Sequence, residues 1–179
     1  DSKIIFSSSV SVYGNQASVI SEKSSFNNPD LYGLSKLSGE AVLQLHTNYQ
    51  IIRFSSLYGN EMNPGTFIPR AIKEARIHKK ITIFGNGSRL QDYLYIDDAV
   101  EYCMKVVNRK ESGIYLGVNG KSYSNIEVAK VIQKLIPDCK LEHLSLDPSS
   151  SFVYNNTLTR DLLDFAPLVD LESGLKRIL

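Results

Sequence analysis

Tyr32 and Lys36 have the side-chain types and the spacing that proton transfer requires. They stand four residues apart in a segment that predicts a helix, so their Cβ atoms should lie about 5–6 Å apart on one face. A free phenol, with a pKa of about 10, is a poor base at neutral pH, and a nearby ammonium favours its ionised form. The pair could therefore exchange a proton with a substrate hydroxyl.

A run of three serines lies upstream of this helix. Residues 3–8 predict a strand buried in a parallel sheet, and Ser7, Ser8 and Ser9 stand at its end. A serine there could bridge the phenol and a substrate oxygen. Because the chain has ten tyrosines, a Tyr/Lys pair at this spacing also arises by chance. The interpretation therefore depends on the order of the segments: strand, serines, a polar loop over 15–29, helix.

Strands and helices alternate through the first two thirds of the chain, which predicts an α/β fold with a parallel sheet. Strands are also predicted at residues 51–54, 81–84, 92–96, 114–118 and 141–146. Helices are predicted at residues 30–47, 66–78, 97–108, 124–136, 159–163 and from 171 onward. Ligands of such sheets bind beyond the carboxyl ends of the strands, which is where the serines lie.

Three of the predicted helices carry further signals. The first has one apolar face, which could be core or a contact with a second copy; it comprises Leu34, Leu37, Ala41 and Leu45. In the helix over 97–108 we expect Asp97 or Asp98 to cap the start. We expect its apolar residues to face the core; these are Val100, Cys103, Met104 and Val107. Ser124 and Glu127 have the spacing of a capping box.

Composition restricts the class of protein. The 179 residues are 42% hydrophobic with a net charge of +1, which fits one domain and gives no electrostatic footprint for nucleic acid or an anionic membrane. We expect no membrane span and no signal peptide, and a cytoplasmic protein. The three histidines are scattered, so we expect no metal. Cys103 predicts a buried thiol rather than a metal ligand.

Four ordered segments carry a family resemblance: IIFSSSVSVYG, LYGLSK, IIRFSSLYG and IFGNGSRLQDYLYIDDAV. Together they resemble the extended short-chain dehydrogenase/reductase family, and within it the NAD-dependent sugar-nucleotide epimerases and dehydratases. The resemblance covers residues 3–136 well and the tail loosely. It implies the second half of a Rossmann-type parallel sheet, formed by residues 1–58 and 91–118. It also implies a small α/β substrate-binding subdomain, formed by residues 59–90 and 119–179.

The same resemblance implies roles for particular residues. The catalytic group would be Ser9, Tyr32 and Lys36. The nicotinamide of NAD or NADP would contact Tyr32 and Lys36. It would also contact Ser7, Ser8, Phe54 and Ser55. The nucleotide sugar would meet Ser9, Ser56, Thr66, Phe67, Ile68, Phe84, Arg89 and Gln91. The family commonly dimerises through the Tyr32/Lys36 helix, which implies a homodimer.

The chain departs from the family pattern in four places, one of which is that no Arg-Pro-Gly-Asp segment is visible near residues 146–148. Ser56 stands where an asparagine usually contacts the substrate diphosphate, and Gln91 stands where an arginine is usual. Glutamine lacks the charge of that arginine, which Arg53, Arg70 or Arg89 could supply. The glycine-rich GxxGxxG loop of the family is not in this sequence. Gly85-Asn86-Gly87 is not a substitute for it, because no third glycine follows at the right spacing.

The missing loop indicates which part of such an enzyme this sequence resembles. We expect the carboxyl-terminal portion of an epimerase/dehydratase, inactive by itself, with an unpaired apolar edge on its first strand. Two alternatives stay open. One is a 4-keto-sugar reductase, since the diphosphate arginine is absent. The other is a non-catalytic fragment that pairs with another chain.

Overall fold

The computed structural model describes residues 2–16, 18–147 and 149–179 and confirms the α/β prediction. The strands are β1 Ile4–Ser9, β2 Tyr49–Phe54, β3 Ser56–Tyr58, β4 Lys80–Phe84, β5 Leu90–Tyr95, β6 Gly113–Gly117, β7 Ser122–Ser124 and β8 Lys140–Leu144. The helices are α1 Leu31–Leu43, α2 Phe67–His78, α3 Ile96–Val107, α4 Asn125–Leu135, α5 Thr157–Leu163 and α6 Leu171–Ile178. A short 3-10 helix, Val10–Tyr13, follows β1.

The sheet that positions the serines is parallel and has the order β1-β2-β6. Ser9 pairs with Phe54, and Phe54 pairs with Gly117, so the three carboxyl ends lie side by side. In the described part of the chain β1 has a partner on one side only, and Ile4 and Ile5 are each 36% exposed. This strand is therefore the apolar edge that the sequence predicts.

Two further sheets lie beside the first. Strand β5 pairs in parallel with β3 and antiparallel with β7, while β4 pairs in parallel with β8. A backbone hydrogen bond of 3.1 Å from Ser55 N to Gly117 O joins the end of β6 to the segment between β2 and β3. The largest apolar cluster packs α2, α4 and α6 around β4 and β5. A second cluster packs α3 on β2 and β6.

Helix α1 is shorter than predicted, and its apolar face is not in the core. It ends at Leu43, because the chain must turn back to place Tyr49 opposite Ile4 in the parallel pair. Leu34 is 45% exposed and Leu45 is 87% exposed, whereas Leu37 is partly buried. The core alternative for this face is therefore wrong for Leu34 and Leu45.

Helix α3 faces the opposite way from the prediction. Its buried residues are Asp98, Ala99, Tyr102 and Val106. The residues expected inside are partly exposed, with Val100 and Met104 each 54% and Val107 44% exposed; Cys103 is half-buried. Both faces of this helix carry apolar residues at helical spacing, so periodicity alone could not choose between them.

The predicted aspartate cap of α3 is also wrong, because both carboxylates have other partners. Asp98 accepts hydrogen bonds from the backbone of Leu168 and Val169, each at 3.0 Å, and thereby holds the tail against α3. Asp97 pairs with Arg177 at 3.0 Å. By contrast, the capping box of α4 is present, with Ser124 and Glu127 bonded in both directions. Among the described helices, none is long and apolar enough to cross a bilayer.

Candidate active site

The start of α1 packs tightly against the chain that leaves β1. Asp30 caps the helix, and its Oδ1 accepts a hydrogen bond of 2.7 Å from Gly33 N. A Cβ atom on Gly33 would lie 2.3 Å from Ser11 O, so only glycine permits this approach. Ser9 caps the 3-10 helix by accepting a bond of 3.1 Å from Ser11 N. Tyr32, next to Gly33, is thereby held beside the element that Ser9 begins.

Lys36 links α1 directly to β1. Its Nζ donates a hydrogen bond of 2.8 Å to Ser7 O and lies 5.7 Å from the centre of the Tyr32 ring. The same ammonium lies 5.3 Å from the centre of the Phe6 ring. Tyr32 is 54% exposed, so its phenol is open to a ligand. The strand end, the ammonium and the phenol are therefore neighbours, as the order of the segments predicts.

The three serines have different environments. Ser7 is exposed, whereas Ser8 and Ser9 are buried. Ser8 Oγ donates a hydrogen bond of 2.5 Å to Glu40 Oε1, and Ser9 Oγ lies 3.1 Å from Ser11 Oγ. Because a hydroxyl has one proton to donate, the bond to Glu40 commits Ser8 to the protein interior.

A buried ion pair holds α1 against β2. Arg53 donates from Nε to Glu40 Oε1 at 3.0 Å and from Nη2 to Oε2 at 2.6 Å. Its Nη1 donates to the Tyr13 hydroxyl at 2.8 Å. Arg53 is 3% exposed and Glu40 is fully buried, so Arg53 is unable to reach a substrate. The sequence offered one signal for this network: a charged residue inside an otherwise apolar strand.

A cavity of about 660 Å³ opens beside the start of α1. It collects polar side chains from β3, β5 and the tail, and its wall comprises Val10, Ser11, Gly14, Asn15, Asn28, Pro29, Asp30, Leu31, Leu34, Ser55, Ser56, Arg89, Gln91, Asp92, Phe152 and Tyr154. Four of the residues expected at the site therefore come together here, namely Ser55, Ser56, Arg89 and Gln91. Phe152 and Tyr154 had no sequence signal that pointed to a ligand.

The other expected substrate residues lie outside this wall. Thr66 is exposed, and its hydroxyl donates to Asn63 O at 3.0 Å. Ile68 is 1% exposed, with its side chain in the core. Phe67 and Phe84 flank Arg70, whose guanidinium carbon lies 5.7 Å and 5.2 Å from their ring centres. Phe54, expected at the nicotinamide, is 6% exposed and packs in the core cluster of α3.

Asp92 is the buried acid of the cavity wall. Its Oδ1 accepts hydrogen bonds from Ser55 Oγ at 2.6 Å and Asn119 N at 2.8 Å, and its Oδ2 accepts one from Gly120 N at 2.8 Å. Burial raises the pKa of the Asp92 carboxyl to about 6, although the bonds from Ser55, Asn119 and Gly120 oppose the rise. The carboxylate thus ties β5 to the loop after β6.

Asp92 should make stability depend on pH in a defined window. A pKa raised from 3.8 to about 6 means that the folded state binds the proton more tightly than the unfolded chain does. The stabilisation is therefore complete below about pH 4 and is lost as the pH rises through about 6. One pKa unit corresponds to about 1.36 kcal/mol, so a rise of about two pKa units stabilises the folded state at low pH by about 3 kcal/mol.

The variant Asp92→Asn isolates this contribution. We expect the free energy of unfolding of the wild type, minus that of Asp92→Asn, to fall by up to about 3 kcal/mol between pH 4 and pH 6.5. Denaturant unfolding at closely spaced pH values measures the difference. A difference that stays constant or grows with pH would contradict a raised pKa.

Comparisons with known proteins identify the family of this chain. The model of the NAD dependent epimerase/dehydratase family matches residues 1–119. The uncharacterized UDP-glucose epimerase YtcB of Bacillus subtilis is 28% identical over 182 residues, covering 96% of this chain and 57% of that protein. A UDP-glucuronate 4-epimerase of Arabidopsis thaliana is 30% identical over 202 residues, covering 97% of this chain and 46% of that protein. Other relatives include a dTDP-D-glucose 4,6-dehydratase and a dTDP-4-dehydro-6-deoxy-D-allose reductase.

A solved structure aligns with nearly the whole of this chain. The UDP-glucuronic acid 4-epimerase of Bacillus cereus, in complex with UDP-glucuronic acid and NAD, is 26% identical with a TM-score of 0.87. The alignment covers 98% of this chain and 59% of that one, so the chain spans about half to three fifths of the relatives' length. Since the family model matches 119 of the 179 residues, the chain belongs to the NAD-dependent epimerase/dehydratase family.

Proposed function

We propose that this chain supplies the proton-transfer group and most of the substrate site of an NAD-dependent enzyme acting on a nucleotide sugar. The observation that carries the proposal is the contact of Lys36 Nζ with Ser7 O at 2.8 Å, with the half-exposed Tyr32 beside it. This group lies at the carboxyl end of a parallel strand, the usual place for a ligand of such a sheet. A cavity of about 660 Å³ has Leu31 and Leu34 of the same helix in its wall, although Tyr32, Lys36 and the three serines are not among the wall residues.

The residues at the strand end fit the nicotinamide ribose of NAD. An ammonium has three donors, and within the described residues Lys36 uses one of them on Ser7 O. The remaining donors suit the hydroxyls of a ribose. Ser7 is exposed at the same strand end. Bound NAD would supply the hydride acceptor.

The chain's own residues would move the proton. Tyr32 would take the proton of a sugar hydroxyl while the hydrogen on the same carbon leaves as a hydride for bound NAD, so that the carbon becomes a ketone. Ser9 would orient that hydroxyl, and Lys36 would favour the ionised phenol. In an epimerase the keto sugar would then rotate in the site, and its carbonyl carbon would be reduced from the opposite face.

The residues of the cavity wall come from two parts of the chain, to which we assign cofactor binding and substrate binding. We assign residues 1–58 and 91–118 to the cofactor side and residues 59–90 and 119–179 to the substrate side. Ser55 and Asp92 come from the first group, and Arg89 and Tyr154 come from the second, and all four line the same cavity. The nucleotide sugar would therefore lie between the two parts.

A cofactor-balance assay tests this function against a 4-keto-sugar reductase, which the reductase relative keeps open. The complete reading frame that contains residues 1–179 is incubated with UDP-, dTDP- and ADP-sugars. An epimerase or dehydratase converts one of them without net oxidation of NADH, because the cofactor is regenerated. Stoichiometric consumption of NADH with a 4-keto sugar would select the reductase instead, and conversion of no sugar under either condition would contradict both.

We further propose that the complete protein is a homodimer with α1 in its interface. Outside the cavity wall, the helix exposes the apolar side chain of Val42 (68%), and Leu45, just beyond its end, is 87% exposed. If α1 packs against a second copy, Val42→Glu should convert the dimer to a monomer, because the interface would bury an unpaired charge. Ile77→Glu, at a residue on α2 that is 61% exposed, is the matched control. Light scattering measures both masses; an unchanged mass in Val42→Glu would contradict the interface.

A further inference from the structure

Arg89 brings a positive charge to the cavity wall from the residue that precedes β5. Residues two apart along an extended segment point to the same face, so Arg89 and Gln91 should present their side chains together. Both line the cavity. The position that the family resemblance assigns to an arginine is thus occupied by Gln91, and the guanidinium stands two residues earlier on the same wall.

The backbone around Arg89 is fixed on both sides. Asn125 N donates to Arg89 O at 3.1 Å, and Arg89 Nε donates to Ser150 O at 3.2 Å. The next residue, Leu90, bonds to Ser151 Oγ and to Phe152 N, each at 3.0 Å. The guanidinium is therefore positioned by its stem and by Nε, while its two terminal nitrogens have no hydrogen bond among the described residues.

The charges on the cavity wall favour an anionic ligand at Arg89. Among the described wall residues Arg89 is the only lysine or arginine, and the acids are Asp30 and Asp92. Asp30 is bonded to Gly33 N as a helix cap, and both oxygens of Asp92 accept hydrogen bonds from neutral donors. Neither carboxylate is paired with Arg89.

Neither of the other two candidate arginines lines the described cavity wall. Arg53 is buried in its ion pair with Glu40. Arg70 stacks on Phe84 and Phe67, outside the described cavity wall, with Glu74 Oε1 3.9 Å from its Nε. Of the three arginines that could supply the missing charge, Arg89 is the one whose position fits.

We propose that Arg89 binds the diphosphate of the nucleotide sugar, taking over the charge that Gln91 lacks; this rests on the function proposed above. A planar guanidinium with two free terminal nitrogens suits two phosphate oxygens. Gln91 would contribute a neutral donor, since its Oε1 already accepts a bond of 2.9 Å from the Tyr93 hydroxyl.

Calorimetry on the complete protein with NAD bound tests the proposal. The probes are UDP, dTDP and ADP, with uridine, thymidine and adenosine as uncharged references. For the nucleoside diphosphate that binds most tightly, Arg89→Gln should weaken binding by about 10- to 100-fold, as expected for lost hydrogen bonds to a charged group. The affinity for the matching nucleoside should change much less.

Two further variants separate a binding role from damage to the fold. Exchanging the two residues, Arg89→Gln with Gln91→Arg, should restore diphosphate affinity to within about fivefold of the wild type, because the charge stays on the same wall. Arg70→Gln should bind like the wild type. The proposal is overturned if Arg89→Gln binds the diphosphate within twofold of the wild type, or if Arg70→Gln loses the affinity instead.

The outcomes also distinguish this inference from the function on which it rests. A wild type that binds one of the diphosphates, with no loss in Arg89→Gln, defeats the role of Arg89 and leaves the proposed function intact. A wild type that binds none of the three defeats both.

Discussion

Tyr32→Phe should lower kcat of the complete enzyme by about 100- to 10,000-fold, the usual contribution of a positioned proton-transfer group. The substitution removes one oxygen from a side chain that is 54% exposed, so folding should be unaffected. Affinity for the nucleotide sugar should change little, because the phenol acts on the reacting hydroxyl. Steady-state rates, with the substrate found in the cofactor-balance assay, measure the effect.

Tyr49→Phe is the matched control for this experiment. Tyr49 begins β2, at the end of the strand opposite to the site, and the chemical change is the same. We expect it to retain kcat within about twofold of the wild type, because it removes no group that touches substrate. Equal losses in the two variants, or a wild-type rate in Tyr32→Phe, would exclude Tyr32 as the proton-transfer residue.

Arg53→Met should lower the free energy of unfolding by about 3–5 kcal/mol, because it leaves Glu40 as a buried and unpaired carboxylate. Glu40 is fully buried, and without Arg53 it retains only the hydrogen bond from Ser8 Oγ among its described side-chain contacts. The same substitution frees α1 from β2, so the rate of the complete enzyme should fall as well. Denaturant unfolding gives the stability change.

Two variants show whether the unpaired charge is the cause. Glu142→Gln breaks the ion pair with Lys80, in which the Lys80 side chain is 42% exposed and the Glu142 side chain 49%. This substitution should lower the free energy of unfolding by less than about 1 kcal/mol. The double variant Glu40→Leu/Arg53→Met removes both buried charges and should be more stable than Arg53→Met alone. If the double variant were no more stable than the single one, the lost attraction within the pair rather than an unpaired charge would explain the loss.

Local signals were sufficient for much of the fold. Strands β1 and β2 each contain a short run of adjacent apolar residues, and α4 begins at a capping box that the structure contains. The three-residue strands β3 and β7 were missed, since a run so short shows no period. The orientation of α3 was wrong because apolar residues occupy both of its faces, and only the packing of Tyr102 and Val106 on β2 and β6 selects one.

Site residues that lie close together in sequence could be predicted. Contacts between residues from different elements could not. Tyr32 and Lys36 lie one helical turn apart, so spacing alone placed them together. The partner of Arg53 lies on another element, 13 residues away, and no pattern joins it to Glu40. The resemblance placed Ile68 at the substrate, but the fold puts its side chain in the core. Arg89 could be separated from Arg53 and Arg70 only after their surroundings were seen.

The most direct test of the central claim follows the hydrogen that leaves the sugar. The substrate carries deuterium at the carbon that would be oxidised, and a single turnover is quenched and its nicotinamide examined by mass spectrometry. We predict that deuterium reaches the nicotinamide in the wild type and in Tyr49→Phe. In Tyr32→Phe the transfer should slow by the same factor as turnover. Deuterium that stays on the sugar throughout, or reaches the nicotinamide at the wild-type rate in Tyr32→Phe, would contradict the account.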